Sequence, residues 1–374
     1  MKFGTKLLHT GYEVDPVTGA AAIPIYQVST FDQPALDRPG PFDYARSGNP
    51  TRQALEKILA ELEGPAAAAF AFSSGMAAIS TVLMLFQAGD HLVVTEDCYG
   101  GTYRLLTRVF RRFNIEATFV DTSEPAAVRA ALKEHPNTRA LFVETVSNPF
   151  LKLTDVRAMA EIAREQGALL IVDNTFLSPY LCRPLEEGAD IVVHSATKYL
   201  GGHSDLIAGT VAVKTAELAQ EVYFLQNAVG AVLGPQDCFL LMRGIKTLKV
   251  RMERQCATAA ALAAWLAKRP EVREVYYPGV GAMVAFRLVH PSLTGPFVER
   301  LKLPLLGVSL GAVETLVAVP ARHSHASVPA EERARRGITG DLIRLSVGIE
   351  EVEDLLADLE QALRYAAAVA PATH

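Results

Sequence analysis

Cysteine is scarce in this chain. There are four among 374 residues (Cys98, Cys182, Cys238 and Cys256), far apart and with no CxxC pair. That spacing excludes a disulfide framework and a cysteine-based zinc site, and it suits a reducing compartment. Long basic runs are missing as well. Lys plus Arg is 36 against 41 Asp plus Glu, a net charge of −5, which leaves no electrostatic footprint for nucleic acid. Met1 to Thr10 lacks the apolar core of a signal peptide. The most apolar helical candidate, residues 75–86, is too short to cross a bilayer. The expectation is a soluble, cytoplasmic protein with no membrane partner. Neither a GxGxxG after a strand nor a Walker GKS/GKT is present, so a dinucleotide or NTP site has little support.

Apolar residues, by contrast, are plentiful: 50% of the chain is hydrophobic and 21% charged. The length suits roughly two domains. Up to about Glu63 the chain is irregular and rich in Pro and Gly, with one helix over Thr51–Glu61. So long an irregular opening is uncommon in a compact domain and points to function or to packing on a partner. From about Ala66 to Lys214, short apolar runs alternate with helical patterns. The expected strands are 67–72, 91–95, 116–120, 140–144, 168–172, 191–194 and 209–213, with helices such as 75–86 and 155–166 between them. Continuous apolar strands joined by helices predict an α/β fold with a mostly parallel sheet covered on both faces. Its ligands belong at the C-terminal ends of the strands. A long helical region over 235–268 follows. After it come strands at 271–277, 283–288, 306–310 and 343–347 and a helix over 351–363, which read as a smaller α+β domain. The expected division is an arm over 1–60, a large α/β domain over 61–234 and a C-terminal α+β domain over 235–374.

The most informative stretch runs from Ala189 to His203. A buried strand leads into Ser195-Ala-Thr197-Lys198, then two glycines. Of the eleven lysines, Lys198 alone sits just past a buried strand end beside small hydroxyl residues, Ser195 and Thr197. Desolvation there makes an amine nucleophilic, although an isolated strand-end lysine more often only snorkels to solvent. Two further features change that balance. The neighbouring strand ends in Asp173, and parallel strands bring their C-terminal ends together. A carboxylate beside a lysine-bound pyridine keeps the ring nitrogen protonated and makes the ring an electron sink. In addition, Ser73-Ser74-Gly75-Met76 opens a helix directly after a strand, where free N–H groups suit a phosphate. Lysine, carboxylate and phosphate-ready helix start together imply pyridoxal 5′-phosphate (PLP).

Several motifs then carry a resemblance over nearly the whole chain: Tyr44-Ala-Arg46-Ser-Gly-Asn49-Pro50-Thr51-Arg52, Ser73-Ser-Gly-Met76, Tyr99-Gly-Gly-Thr102, Asp173-Asn-Thr-Phe176, Ser195–His203 and Ile343–Glu350. The sequence resembles the Cys/Met-metabolism family of PLP enzymes, which share fold type I (aspartate aminotransferase-like). The resemblance implies that Lys198 holds the cofactor covalently and later shuttles protons, and that Asp173 pairs with the pyridine nitrogen. It implies that Gly75, Met76, Ser195 and Thr197 hold the phosphate, with Ser74 also among the cofactor-binding residues. Tyr44 and Arg46 are expected to reach into the site of a neighbouring subunit. Tyr99 is expected to stack on the ring and to move a proton, and Asn148 to contact the cofactor's 3′-oxygen. Arg344, helped by the backbone near Ser309, is expected to grip the substrate α-carboxylate, with Tyr44 and Asn148 also bordering the substrate. A dimer with shared sites, paired into a tetramer, follows from the same resemblance. The His323/His325 pair lacks a third ligand, so no metal is expected.

The implied reaction is γ-elimination or γ-replacement on sulfur-containing or O-acyl homoserine-derived amino acids, of the cystathionine γ-lyase or γ-synthase type. An O-acylhomoserine sulfhydrylase and a homocysteine or methionine γ-lyase are alternatives, and a non-catalytic PLP-binding regulator is an alternative of another class. Methionine γ-lyases usually carry Cys where this chain has Gly101. Val308 stands where lyases and synthases of cystathionine commonly place Glu, which favours a smaller or less charged substrate. The segment Tyr277–Met283 is shorter than the family's usual one.

Overall fold

The computed structural model describes residues 1–12, 14–326 and 328–369. Among these described residues, twelve strands fall into two sheets. The first sheet holds β1 (Ala68–Phe72), β2 (His91–Thr95), β3 (Glu116–Val120), β4 (Thr138–Glu144), β5 (Leu169–Asp173), β6 (Ile191–Ser195) and β7 (Gly209–Val213), in the order β1-β7-β6-β5-β4-β2-β3. The pairings β2–β3, β2–β4, β4–β5 and β5–β6 are parallel. Only β7 runs against its neighbours, β1 and β6. The expected mostly parallel α/β sheet is therefore present. Its central strands are buried on both faces, as their unbroken apolar runs require.

The second sheet is built from β8 (Val272–Tyr276), β9 (Met283–Leu288), β10 (Leu305–Leu306), β11 (Leu316–Ala318) and β12 (Leu342–Ser346), in the order β10-β11-β12-β9-β8. The C-terminal helix Val352–Val369 and the helix Leu248–Leu266 share its apolar core, which includes Phe286, Phe297, Leu355 and Leu363.

Two expectations need correction here. The strand over 306–310 does not form: only Leu305–Leu306 pairs, in parallel with β11, which the sequence reading missed. Gly307 ends the run, and Ser309 is turned toward Lys198 instead of a ladder. The helical region over 235–268 is two helices, Pro235–Lys246 and Leu248–Leu266, divided at Thr247. There the Thr247 hydroxyl bonds back to the Gly244 carbonyl, a local competitor to the helix ladder.

The opening segment is more ordered than its composition promised. A short helix, Phe3–His9, precedes the irregular stretch. The helix Pro50–Glu63 then starts where Asn49 accepts hydrogen bonds from the Thr51 and Arg52 amides, with Pro50 in the first turn. Its buried face, Leu55, Ile58, Leu59 and Leu62, packs behind the first sheet.

The topology makes one edge chemically dense. β1, β4, β5 and β6 all point their C-terminal ends the same way. The turn after β1 crosses the start of β7 so closely that a Cβ at Gly209 would lie 2.1 Å from the Ser74 carbonyl oxygen. Only glycine permits that crossing, and it carries Ser74 and Gly75 over to the end of β6.

Candidate active site

A cavity of about 240 Å³ opens at this edge. Ser74, Gly75 and Met76 line it from the helix Gly75–Leu83, Asp173 from β5, and Ser195, Thr197 and Lys198 from the end of β6. Tyr99, Asn148 and Arg344 complete the predicted set. Of the predicted residues, Ser309 lies beside the cavity rather than in its lining, and Tyr44 and Arg46 are elsewhere on this chain.

Lys198 is the centre. Its Nζ donates to the Ser309 hydroxyl at 2.9 Å. Burial, with the positive charge of Arg344 added, pushes its amine down to about 8. Desolvation makes the neutral, nucleophilic form accessible near neutral pH.

Asp173 is buried at the end of β5. One of its oxygens, Oδ1, accepts from the Thr175 amide at 3.0 Å and from the Thr175 hydroxyl at 2.5 Å. Thr175 in turn accepts from the Ser195 amide at 2.9 Å. This ties the carboxylate to the β6 end, and among the described residues Oδ2 has no hydrogen-bond partner. Glu144, in register with Asp173 on the adjacent strand, also lines the cavity. Burial pushes both carboxyls up, and Asp173 adds to the rise of Glu144. Two neighbouring buried carboxylates are poorly compensated alone and well matched to a cationic ring.

The helix Gly75–Leu83 presents its N-terminus to the same space. The Ser74 hydroxyl accepts from the Ala77 amide at 3.0 Å and so caps the helix. A Cβ at Gly75 would sit 2.8 Å from the Ser195 Cβ. The Thr197 hydroxyl is shared with the Ala208 backbone, accepting from its amide at 3.0 Å and donating to its carbonyl at 3.2 Å. This cradle of main-chain donors and small hydroxyl residues suits a phosphate.

Arg344 is 2% exposed on β12. Its Nη1 donates to Asn148 Oδ1 at 2.9 Å and its Nη2 to the Ser309 carbonyl at 3.3 Å. Its Nε is buried without a partner, and no carboxylate among the described residues pairs with it. Burial lowers its pKa to about 10. A buried guanidinium with an open hydrogen bond and no counter-ion is shaped for a carboxylate from outside the chain. Tyr99 stands at the mouth, 43% exposed, with its amide fixed to Glu144 Oε1 at 2.7 Å. Val308, 68% exposed, lies at the rim.

Tyr44 and Arg46 stack on one another, with the guanidinium carbon 5.3 Å from the ring centre. Arg46 Nε reaches Asn227 at 3.3 Å. Neither residue touches the cavity of its own chain. The sequence reading gave no role to Glu144, Thr175 or Ser324, all of which line the cavity. Glu144 was signalled by its place at the end of a strand next to the one bearing Asp173, and Thr175 by its position two residues after that aspartate. His325 gave no comparable signal. It is buried, bonded through Nδ1 to the Ser324 hydroxyl, and pushed down to about 4 by burial and Arg344.

A buried amine, a carboxylate, a helix N-terminus with small hydroxyl residues and an unpaired guanidinium thus share one cavity, a set that would suit a phosphorylated pyridine aldehyde and an amino acid. The family model of the Cys/Met metabolism PLP-dependent enzymes matches residues 4–364. The chain belongs to that family. It is a PLP-dependent enzyme of fold type I, acting on amino-acid substrates. Among characterised relatives, the chain is 51% identical to a cystathionine gamma-lyase of Bacillus subtilis (97% of this chain, 99% of the relative). It is 50% identical to cystathionine beta-lyase MetC of the same organism (98% and 97%). A cystathionine gamma-synthase/O-acetylhomoserine (thiol)-lyase, again from B. subtilis, is 48% identical (96% and 95%). The solved structure of cystathionine gamma-lyase from Lactobacillus plantarum complexed with L-serine superposes with a TM-score of 0.95 at 45% identity, covering 98% of this chain and 100% of that one.

Proposed function

We propose that this enzyme catalyses γ-elimination or γ-replacement on homoserine-derived amino acids that carry sulfur or an O-acyl group at Cγ, in the manner of a cystathionine γ-lyase or γ-synthase. The observation that carries the reading is the joint use of Ser309. Its hydroxyl holds the Lys198 amine and its carbonyl holds Arg344, so one residue sets the distance between a proton-moving amine and a carboxylate clamp. An α-amino acid presents a carboxylate for the one and a Cα proton for the other.

When bound, PLP supplies an electron sink for negative charge at the substrate Cα. Lys198 would hold it, with Asp173 serving the ring nitrogen, Gly75, Met76, Ser195 and Thr197 the phosphate, and Asn148 the 3′-oxygen. The remaining chemistry belongs to side chains. Arg344 orients the substrate by its carboxylate, which places the Cα–H toward Lys198. The Lys198 amine, about half of it neutral at pH 8, would take the Cα proton, give that proton up again, and only then take one from Cβ. Tyr99, at the mouth, would give a proton to the departing sulfur. Water then leads to a 2-oxo acid and ammonia, whereas a thiol adding at Cγ gives replacement.

The relatives named as beta-lyases support cystathionine as substrate but with cleavage at Cβ, so products decide. Purified enzyme given cystathionine is expected to release 2-oxobutanoate and cysteine. Given an O-acylhomoserine and cysteine, it is expected to form cystathionine. Release of pyruvate and homocysteine alone overturns the reading in favour of β-elimination. Val308 supplies no carboxylate for a distal ammonium group, which supports turnover of homocysteine or an O-acylhomoserine beside cystathionine.

We also propose a cytoplasmic homodimer with shared sites, paired into a tetramer. Tyr44 and Arg46 support it, since both are ordered at a distance from their own cavity. Among the described residues no helix is long and apolar enough to cross a membrane.

A further inference from the structure

Beside Arg344 lies a short turn whose histidines the reaction leaves unused. β11 and β12 are antiparallel, and Ala318 is in register with Arg344. The chain leaves β11 at Val319 and is closed at once into a tight turn. The Val319 amide donates to His323 Nδ1 at 3.0 Å, and the His325 amide donates to the Pro320 carbonyl at 3.0 Å. Arg333 Nη1 fastens the far side by donating to the Val328 carbonyl at 2.6 Å. This turn brings Ser324 into the lining of the cavity that Arg344 also lines. Of the two histidines that flank it, His323 closes the turn and His325 stands behind the serine.

His325 is 1% exposed, and its Nδ1 lies 2.9 Å from the Ser324 hydroxyl oxygen. Its other nitrogen, Nε2, is buried with no hydrogen-bond partner. That orphan fixes which way the Ser324 bond runs. If Ser324 donated to Nδ1, the ring proton would sit on Nε2 as a buried N–H without an acceptor. Buried N–H groups are left unpaired less often than buried acceptors. The Asn148 carbonyl bears on the ring but makes no hydrogen bond with Nε2. The proton therefore belongs on Nδ1, which donates to Ser324. A charged ring carries its Nδ1 proton as well, so the direction holds in either protonation state. Ser324 accepts from behind, and its own hydroxyl proton is left for the cavity.

We propose that Ser324 is a substrate-binding residue whose hydroxyl donates to the α-carboxylate alongside Arg344, and that His325 is the positioning residue that fixes that hydroxyl. The inference rests on the reading that Arg344 takes this carboxylate. A carboxylate has about four acceptor positions, more than one guanidinium edge fills. A neighbouring hydroxyl donor therefore adds to the clamp instead of competing with it. Hydrogen bonds to a charged acceptor are the stronger kind. His325 makes the donor ready in advance. With the serine oxygen held from behind, the O–H turns toward the open cavity and loses little freedom when the substrate arrives.

The test uses holoenzymes and two probes, L-alanine and ethylamine, which is L-alanine without its carboxylate. Their dissociation constants are read from the change in bound-cofactor absorbance, and cofactor affinity and melting temperature are measured beside them. Ser324→Ala is expected to weaken L-alanine about tenfold and to leave ethylamine and the cofactor within about twofold of wild type. Ser324→Thr keeps a hydroxyl and is expected to bind L-alanine more tightly than Ser324→Ala. His325→Leu is expected to weaken L-alanine as Ser324→Ala does. His325→Asn, whose amide keeps an N–H close to the Nδ1 position, is expected to restore much of the loss. In the double variant Ser324→Ala/His325→Leu the loss is expected to be no larger than in Ser324→Ala alone, because His325 acts only through the serine. L-Alanine binding within about twofold of wild type in Ser324→Ala, or an equal loss for ethylamine, overturns the inference. Additive losses in the double variant overturn the role of His325. If Arg344→Ala leaves L-alanine binding unchanged, the clamp assignment fails instead. Should the His325 variants not fold, the two Ser324 variants decide by the same readouts.

Discussion

At the scale of single residues, the site is a set of buried charged groups without counter-ions among the described residues: Lys198, Asp173 and Arg344 are held only by neutral hydrogen-bond partners. Lys198 shows the principle most directly. Its amine is lowered from 10.5 to about 8, first by burial and then by Arg344. Capture of an aldehyde needs the neutral amine. The rate at which cofactor-free enzyme turns yellow on adding PLP is therefore expected to rise with pH through about 8 and to level off above it. Arg344→Gln removes one of the two causes of the lowering, so the midpoint is expected to move to higher pH. A midpoint that stays in place would show that Arg344 is not felt at Lys198. Lys198→Ala removes the amine altogether. It is expected to cost at least ~10³-fold in turnover, within the range for a positioned acid–base, and borohydride is expected to leave no cofactor on the peptide.

Arg344 carries a second prediction. The guanidinium has already lost its hydration, yet its Nε has no acceptor. Truncation to Ala leaves a substrate carboxylate buried and unpaired, at a cost of about 2–5 kcal/mol, or roughly 30- to 5,000-fold in kcat/KM. Competitive binding of an amino acid, measured by perturbation of the cofactor absorbance, is expected to weaken in parallel. A simple amine without a carboxylate is expected to bind the variant and wild type alike.

At the scale of elements, the strand ends do the assembling. The run Leu169-Leu-Ile-Val-Asp173 and the run into Ser195 were legible because buried parallel strands are apolar to their last residue. The first polar side chain therefore marks the ligand edge. Lys198, Asp173 and the Ser74–Met76 turn could be placed together from that rule alone. Glu144 and Thr175 obey the same rule but were passed over, since a strand-end carboxylate or threonine reads equally as a cap. Arg344 was legible for another reason: an arginine inside an apolar strand demands a partner. The 305–318 region was not legible. Its backbone is directed by contacts distant in sequence, Ser309 with Lys198 and Gly311 with Ser346, and a local pattern carries no trace of them. The same dependence on close approach makes Gly75 testable. An alanine there meets Ser195 at 2.8 Å, and overpacking of this kind costs about 1–3 kcal/mol. Gly75→Ala is expected to weaken PLP about tenfold by pushing the helix start off the end of β6, as read by equilibrium dialysis. The overall fold is expected to stay intact by circular dichroism.

At the scale of the whole molecule, the decisive residues are two that touch nothing in their own cavity. Tyr44 and Arg46 stack with each other on a segment held down by specific bonds, Arg52 to the Ala45 and Arg46 carbonyls and Gln33 to the Phe31 and Phe42 carbonyls. Ordering an irregular stretch costs about 1–2 kcal/mol per residue in backbone entropy, and a monomer gains little from holding these side chains out at that cost. The symmetric dimer proposed above, in which each arm would complete the other's site, would recover it. This arrangement makes a sharp prediction. Lys198→Ala and Arg46→Ala are each expected to be nearly inactive when purified alone. Unfolded together in equal amounts and refolded, they form hybrid dimers in which one site carries both substitutions and the other carries neither. Random pairing makes half of the dimers hybrids, so recovery of about a quarter of wild-type activity is expected. If Tyr44 and Arg46 served only their own chain, every site would retain one defect, and mixing would restore nothing.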